Sequence, residues 1–290
     1  MESCLKLSVN FFRVSPPHAR SFRELVIKNM VEKCTNMSRY EFAMVMFLVA
    51  INRVPITEKL SYWIEAQFLQ LSDKMSIEEI CLVCVAYHKT NTQFMGKNMQ
   101  EKVIDKTIKN VSKIKSRVLL SCLIKGLNHL HYNPRFSLFV AIFKFMENWP
   151  SSIYSFIHLL DYGVNKMCYQ PLLIDRTLRN IDENYPDFRH KDVERTIKAV
   201  AEFDHASGFE TVRSILKQIE TDENFLKHTA SLANLGRSLC YLDIFSEKIL
   251  QTICDYQWRN FLDMSKSTSP LTNYALTFSF LRPRDRRINQ

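Results

Sequence analysis

Two stretches of the chain, 38 residues apart, share a serine, a glutamate and their apolar positions. The first, at 37–56, reads MSRYEFAMVMFLVAINRVPI, and the second, at 75–94, reads MSIEEICLVCVAYHKTNTQF. In both, apolar residues recur at the i, i+3, i+4, i+7 spacing of one helix face. The pair predicts a repeated helical unit, which constrains the fold more than any other feature of the chain.

The same apolar spacing continues through six units. Successive units begin 36 to 40 residues apart. Their first core positions are Phe42, Ile80, Leu120, Phe156, Val193 and Leu232. Five near-equal intervals favour an array of repeats over the alternative, a globular all-α bundle in which the matches arise by coincidence.

Helix starts recur together with the apolar pattern. Serine accepts a hydrogen bond from an otherwise unpaired amide of the first helical turn, so a serine before an apolar run is a predicted N-cap. Glu41 and Glu79 each follow such a serine by three residues, which is the capping-box spacing. The predicted N-caps, each four residues before a first core position, are Ser38, Ser76, Ser116 and Ser152.

Prolines follow the first helices. Pro55, Pro134 and Pro171 lie 17 to 19 residues after the corresponding serines. Proline does not continue a helix, but it suits the first position of the next one. Second apolar patterns follow, such as ITEKLSYWIEAQFLQL at 56–71. The unit is therefore a helix, a short turn and a second helix.

These units predict an all-α fold, an α-solenoid of about six helix-turn-helix repeats of roughly 38 residues. A single helical pair cannot bury its apolar face alone, whereas stacked pairs share one core. The chain has only five glycines, too few for the turns and phosphate loops of a β-sandwich or a dinucleotide-binding domain. We assign 22–264 to the repeat array, 1–21 to a basic N-terminal segment and 265–290 to a loop, a short apolar segment and a basic tail.

The N-terminal segment has the composition of a mitochondrial transit peptide. After Glu2 no acidic residue occurs before Glu24, while basic residues and serines alternate. This pattern predicts a location in the mitochondrial matrix, and the alternative is an ordinary basic tail. The longest apolar run, 42–51, has ten residues. Such a run is too short to span a bilayer, so we predict no transmembrane helix.

The charge of the chain favours a polyanionic partner. The net charge of +9 fits RNA, DNA or an anionic membrane surface. In the fifth unit, Lys191, Arg195 and Lys198 are spaced to share one helix face, and stacked basic residues on one surface of a solenoid can follow a phosphate backbone. The alternative is a solvated face. The candidate RNA-binding residues are Lys115, Arg117, Lys191, Arg195, Lys198, Arg237, Arg282, Arg284, Arg286 and Arg287.

No arrangement of residues indicates catalysis or a cofactor. Cys81, Cys84 and His88 have a spacing that places all three on one helix face, but the cysteines fall in the apolar pattern, so we predict helix core rather than zinc. His129 and His131 fit a solvated turn better than a metal pair. The eight cysteines lie mostly in apolar runs, as expected of buried thiols in a reducing compartment. We therefore predict a protein without catalytic activity, metal or cofactor.

Several segments resemble the helical repeat region of the FAST kinase domain-containing family, whose repeats are of the octotricopeptide type. They include ELVIKNM, MSRYEFAMVMFLVAINRVP, LSDKMSIEEICLVCVAYHKTN and LANLGRSLCYLDIFSEKILQTI. The resemblance implies a mitochondrial regulator of RNA processing, stability or translation. The terminal RAP domain of that family has no counterpart here, so the resemblance implies a shortened member, a fragment or a divergent relative. The Gly-rich loop and catalytic motifs of a kinase are likewise missing from the sequence.

Three functions follow as hypotheses. The first is a non-catalytic helical-repeat protein that binds single-stranded RNA along a basic face. The second is a scaffold whose solenoid groove holds a protein partner, which predicts an apolar or mixed-charge surface. The third is an enzyme whose site is assembled from residues distant in the chain, since groups of that kind meet only in the fold.

Overall fold

A computed structural model describes residues 16–33, 37–131, 136–148 and 153–263. These residues form fourteen α-helices and three short 3-10 turns, and this part of the chain contains no β-strand. The all-α helical-repeat class predicted from the sequence is confirmed.

The helices follow the predicted order of paired segments. They are α1 (Pro16–Lys33), α2 (Arg39–Asn52), α3 (Glu58–Leu71), α4 (Ile77–Thr90), α5 (Lys97–Asn110), α6 (Arg117–Leu127), α7 (Phe136–Glu147), α8 (Ile153–Asn165), α9 (Pro171–Glu183), α10 (His190–Glu202), α11 (Phe209–Thr221), α12 (Glu223–Leu226), α13 (Thr229–Tyr241) and α14 (Glu247–Asp263). The helix α1 begins before residue 22, and the four-residue helix α12 has no counterpart in the predicted repeat.

Helix starts are fixed by the predicted serines. Ser38 Oγ accepts a hydrogen bond from the Glu41 amide at 3.3 Å, and the Glu41 carboxylate accepts one from the Ser38 amide at 2.9 Å. Ser76 and Glu79 form the same capping box, with distances of 3.3 and 2.7 Å. Ser116 accepts from the amide of Leu119 at 3.4 Å. These caps satisfy amides that a helix leaves unpaired in its first turn. Ser152 lies outside the described residues.

Five first helices end in the same way. Each is followed by a non-glycine residue with positive φ, eleven positions after the first core residue. The amide of the next residue donates a hydrogen bond to the carbonyl five residues earlier, as from Val54 to Val49 at 3.1 Å. This pattern is the Schellman motif. Pro171 is the first residue of α9, whereas Pro55 lies in a connector and Thr57 caps α3. Pro134 is outside the described residues. The left-handed residues are Arg53, Asn91, Met167, Asp204 and Asp243.

The chain divides into two compact units, residues 1–168 and 169–290. In unit 1 the first helices α2, α4, α6 and α8 pack in a row, and the second helices α3, α5 and α7 form a second row. The helix α1 packs against α2. In the first row, α4 and α6 approach closely at Gly126. A Cβ added to this residue would lie only 2.4 Å from Cβ of Cys84. Unit 1 thus has the stacked helical pairs of an α-solenoid.

Unit 2 is built from the remaining helices. The helix α9 packs against α10 and α11, α10 packs against α13, and α13 packs against α14. The short helix α12 contacts α11 and α13. The contact between α10 and α13 is, within this unit, the packing of one first helix on the next.

The predicted core positions are buried. All six first core residues are between 0 and 2% exposed. Cys81 and Cys84 also lie in the core, where burial raises the pKa of the Cys84 thiol to about 12. Across the described helices, none combines the length and the apolar character that a membrane-spanning helix needs.

Candidate nucleic-acid interface

Four predicted basic residues lie on two helices that pack against each other in unit 2. Val193, Ile197 and Val200 of α10 are buried, so the opposite positions of this helix face outward. Lys191 is exposed there, and Arg195 and Lys198 are half-buried. Arg237 is exposed on α13. It follows the first core residue Leu232 by five positions, just as Lys198 follows Val193. We call these four residues, Lys191, Arg195, Lys198 and Arg237, the basic face.

The start of α10 is held by an ion pair between a buried aspartate and an exposed arginine. Asp192 is 0% exposed, and its two carboxylate oxygens accept from Nε and Nη2 of Arg189 at 2.7 and 2.8 Å. A buried carboxylate is costly unless its oxygens are paired. The pair therefore fixes the first turn of the helix that carries most of the basic face. Neither residue was predicted from the sequence, because an aspartate in an amphipathic helix ordinarily faces solvent.

One carboxylate lies beside the basic face. Burial raises the pKa of Glu194, and smaller opposite effects come from Arg195 and Lys198. The Glu194 side chain bonds to Asn234 and Ser231 of α13. Glu194 thus links the two helices and offsets part of the local positive charge, while the four cations outnumber it.

Two histidines stack next to the basic face. His190 of α10 and His228, the residue before α13, have ring centroids 3.6 Å apart and planes inclined by 19°. Phe225 meets the His190 ring edge-on at 6.3 Å. Burial lowers the pKa of His190, with smaller contributions from His228 and Lys191. The pair was not predicted from the sequence. Its members are 38 residues apart, which is one repeat period, and this spacing could have indicated that they meet.

The equivalent outward positions in unit 1 are largely apolar. Val118 is 71% exposed and Tyr40 is 46% exposed. Apolar side chains continue between them along α2 and α4, where they are half-buried. This surface differs in chemistry from the basic face, although the repeat positions are the same. The half-buried side chains are Met44, Phe47, Leu82 and Val85.

The remaining candidate cations lie in unit 1 or outside the described residues. Lys115 and Arg117 are exposed at the start of α6, in unit 1. Arg117 holds the repeat position of Arg39, whose Nη1 donates to the Lys74 carbonyl at 2.8 Å. In α2, this position therefore meets the connector that precedes α4. Arg282, Arg284, Arg286 and Arg287 lie outside the described residues.

The histidines and cysteines weighed for metal binding have other neighbours. The ring of His88 lies 5.7 Å from that of His129, at the ends of α4 and α6. Burial lowers the pKa of His129, and Lys166 adds to this effect. His131 is exposed. Within the described ranges, no group of three or more metal-ligating side chains is arranged to hold an ion.

A hydrogen-bonded cluster around His205 in unit 2 was also not predicted from the sequence. His205 is 4% exposed, and its Nδ1 lies 2.8 Å from the Tyr169 hydroxyl. Its Nε2 lies 2.7 Å from Asp175 Oδ1 and 2.9 Å from Ser207 Oγ. A serine nucleophile requires the imidazole between it and the carboxylate, one on each ring nitrogen. Here both groups meet the same nitrogen, so the cluster is suited to bracing the turn before α11.

Comparison with protein-family models and with curated proteins finds no match to this sequence. The function is therefore argued from the residues and their geometry.

Proposed function

We propose that this chain is a helical-repeat protein that binds single-stranded RNA along the basic face without catalysing a reaction. The observation that carries the proposal is the placement of four cations on the outward side of two packed helices. Lys198 and Arg237 hold the same repeat position on α10 and α13. A surface built from equivalent positions of successive repeats is how solenoid proteins present an extended ligand site.

The spacing of these cations suits a flexible polyanion. Along α10, Lys191 and Arg195 are separated by about 6 Å, and Arg195 and Lys198 by about 4.5 Å. Packed helices lie roughly 8–10 Å apart, which sets the step from Lys198 to Arg237. Long Lys and Arg side chains reach neighbouring phosphates across such distances, and each contact releases counterions from the nucleic acid. The net charge of +9 adds long-range attraction.

The choice of RNA and of a mitochondrial role rests on the sequence. The resemblance to the FAST kinase domain-containing family favours a part in mitochondrial RNA processing, stability or translation. The basic, serine-containing and acid-poor N-terminal segment is consistent with import into the matrix.

Binding of a labelled single-stranded RNA at several salt concentrations tests the proposal. Changing all four residues of the basic face to glutamine is expected to weaken binding at low salt. The same variant should reduce the slope of log K against log salt by about 2 to 3, since each phosphate contact contributes about 0.7 in single strands. A matched control removes four exposed lysines of unit 1, which are Lys59, Lys74, Lys109 and Lys144.

The two variants lose the same charge, so only placement distinguishes them. The proposal is overturned when the unmodified protein fails to bind RNA at low salt. It is also overturned when the control variant weakens binding as much as the basic-face variant does.

A protein-interaction scaffold is the second candidate, because a specific surface favours it. Outward positions of α2, α4 and α6 form a mainly apolar strip in unit 1 that includes Tyr40 and Val118, with the charged Glu78 and Lys125 at two of the equivalent positions. Exposed apolar strips of this kind are typical of interfaces with other proteins. The test is co-purification after nuclease treatment. A partner retained by the unmodified protein and lost from a Tyr40→Glu, Val118→Glu variant would support the scaffold.

A further inference from the structure

We propose that His190 and His228 form a nucleobase-stacking subsite at one end of the basic face, so that the ligand is a single strand with an unpaired base beside Lys191. This inference rests on the proposed function and narrows its ligand class. A duplex keeps its bases inside the helix, and an acidic peptide or an anionic lipid carries no base. A single-stranded nucleic acid combines unpaired bases with phosphates, so it can use both the rings and the cations.

The rings are arranged in a series from the core to the surface. Phe225 is buried, its ring lies edge-on to His190, and His190 lies parallel to His228. His228 is exposed. His190 covers one face of its ring, which leaves the opposite face as the position for a further stacked ring. That face can receive a third ring in the offset-stacked geometry that aromatic groups prefer.

The backbone holds His228 in place without using its ring. The His228 amide donates to the Phe225 carbonyl at 2.9 Å, and the His228 carbonyl accepts from the Leu232 amide at 3.0 Å. Its side chain makes no capping hydrogen bond, although it stands at the N-cap of α13. The backbone of His228 is therefore ordered without a ligand, and its ring is held by stacking on His190, which reduces the ordering cost of binding.

The charges around the two histidines suit the separate binding of a base and a phosphate. Two protonated imidazoles at 3.6 Å would repel each other, and the lowered pKa of His190 keeps that ring neutral at neutral pH. Lys191 lies next to His190 in the chain and supplies positive charge. Aromatic rings beside a cation match the two parts of a nucleotide, an uncharged base and an anionic phosphate.

The experiment compares two ligands on the full chain. One is a short labelled single-stranded RNA, and the other is inorganic polyphosphate, which has phosphates but no bases. His228→Ala is expected to weaken RNA binding by about 5-fold to 100-fold, the loss of one base–aromatic stack, and to leave polyphosphate binding unchanged. His228→Phe should retain RNA binding. His131→Ala, at another exposed histidine, is the matched control and should change neither affinity.

A spectroscopic readout needs no variant of the pair. An RNA carrying a fluorescent purine analogue should lose fluorescence when it binds the unmodified protein, because stacking quenches the analogue. The quenching should persist with His228→Phe and disappear with His228→Ala.

The outcomes separate this inference from the proposed function. When the basic-face variant weakens RNA binding but His228→Ala does not, the stacking subsite is overturned and RNA binding stands. When His228→Ala weakens RNA and polyphosphate binding equally, the stacking subsite is also overturned. When the unmodified protein binds neither ligand, both proposals fail.

Discussion

The carboxylate of Asp192, fully buried in α10, accepts two hydrogen bonds from the guanidinium of Arg189, three residues earlier. Arg189 is itself 61% exposed, so the buried charge is neutralised by a residue at the surface. Arg189→Ala leaves the carboxylate buried with its main partner removed. We expect the free energy of unfolding to fall by about 1–3 kcal/mol, measured by urea denaturation.

Arg189→Lys should recover part of this loss, because an ammonium supplies charge but not the two-point geometry. Equal stability of the alanine variant and the unmodified protein would contradict the assignment of this pair to the start of α10.

Met167 adopts a left-handed conformation, with φ of 55°, at the end of α8, and its side chain is 74% exposed. A left-handed residue other than glycine costs roughly 1–2 kcal/mol, while glycine adds entropy to the unfolded chain. We expect Met167→Gly to raise the free energy of unfolding by about 0.5–1 kcal/mol. Met95, exposed in a connector without positive φ, is the control, and Met95→Gly should destabilise. Effects of the same sign at both sites would refute the strain argument.

Gly126 marks the closest approach of α4 and α6. An added Cβ would lie 2.4 Å from Cβ of Cys84 and 2.5 Å from its carbonyl oxygen, and neither atom is the end of a flexible side chain. Gly126→Ala should therefore lower the free energy of unfolding by about 1–3 kcal/mol through overpacking. At Gly236, the one contact that the added Cβ would make among the described side chains is with a methyl of Ile253, at 3.0 Å. Gly236→Ala should be nearly neutral, because the gain in helix propensity offsets that contact.

His190 should make stability depend on pH. Burial is the main cause of its pKa lying below the ordinary 6.5, so the unfolded chain takes up this proton at a higher pH than the folded one. Its contribution to stability is present above about 6.5 and is lost as the pH falls through the lowered pKa. We expect the Tm to fall from neutral to mildly acidic pH, and to fall less steeply in His190→Phe. His131→Phe, at an exposed site, should follow the unmodified protein.

Features that depend on neighbours within about one helical turn were predictable from the sequence. The apolar period predicted the helices and their faces, and Ser38 and Ser76 predicted the capping boxes, because caps and amphipathic faces form between residues three or four apart. The repeat interval also predicted that helical pairs stack on one another, since a single pair leaves its apolar face uncovered.

The helix ends were not predictable in the same way. Positive φ usually indicates glycine or asparagine, but four of the five left-handed residues are arginine, methionine or aspartate. The repeated Schellman geometry therefore occurs at residues whose local preference is against it, such as Met167.

The sequence by itself determined the class of fold, the order of the helices and which side of each helix is buried. Only the tertiary structure decided which outward residues meet. Within unit 2 it packed α13, which carries Arg237, against α10, stacked His190 on His228, and joined Tyr169 to His205. These contacts join residues about one repeat apart, whose side chains meet only when one helix packs on the next. The distances and angles of that packing are not encoded in any single segment of the chain.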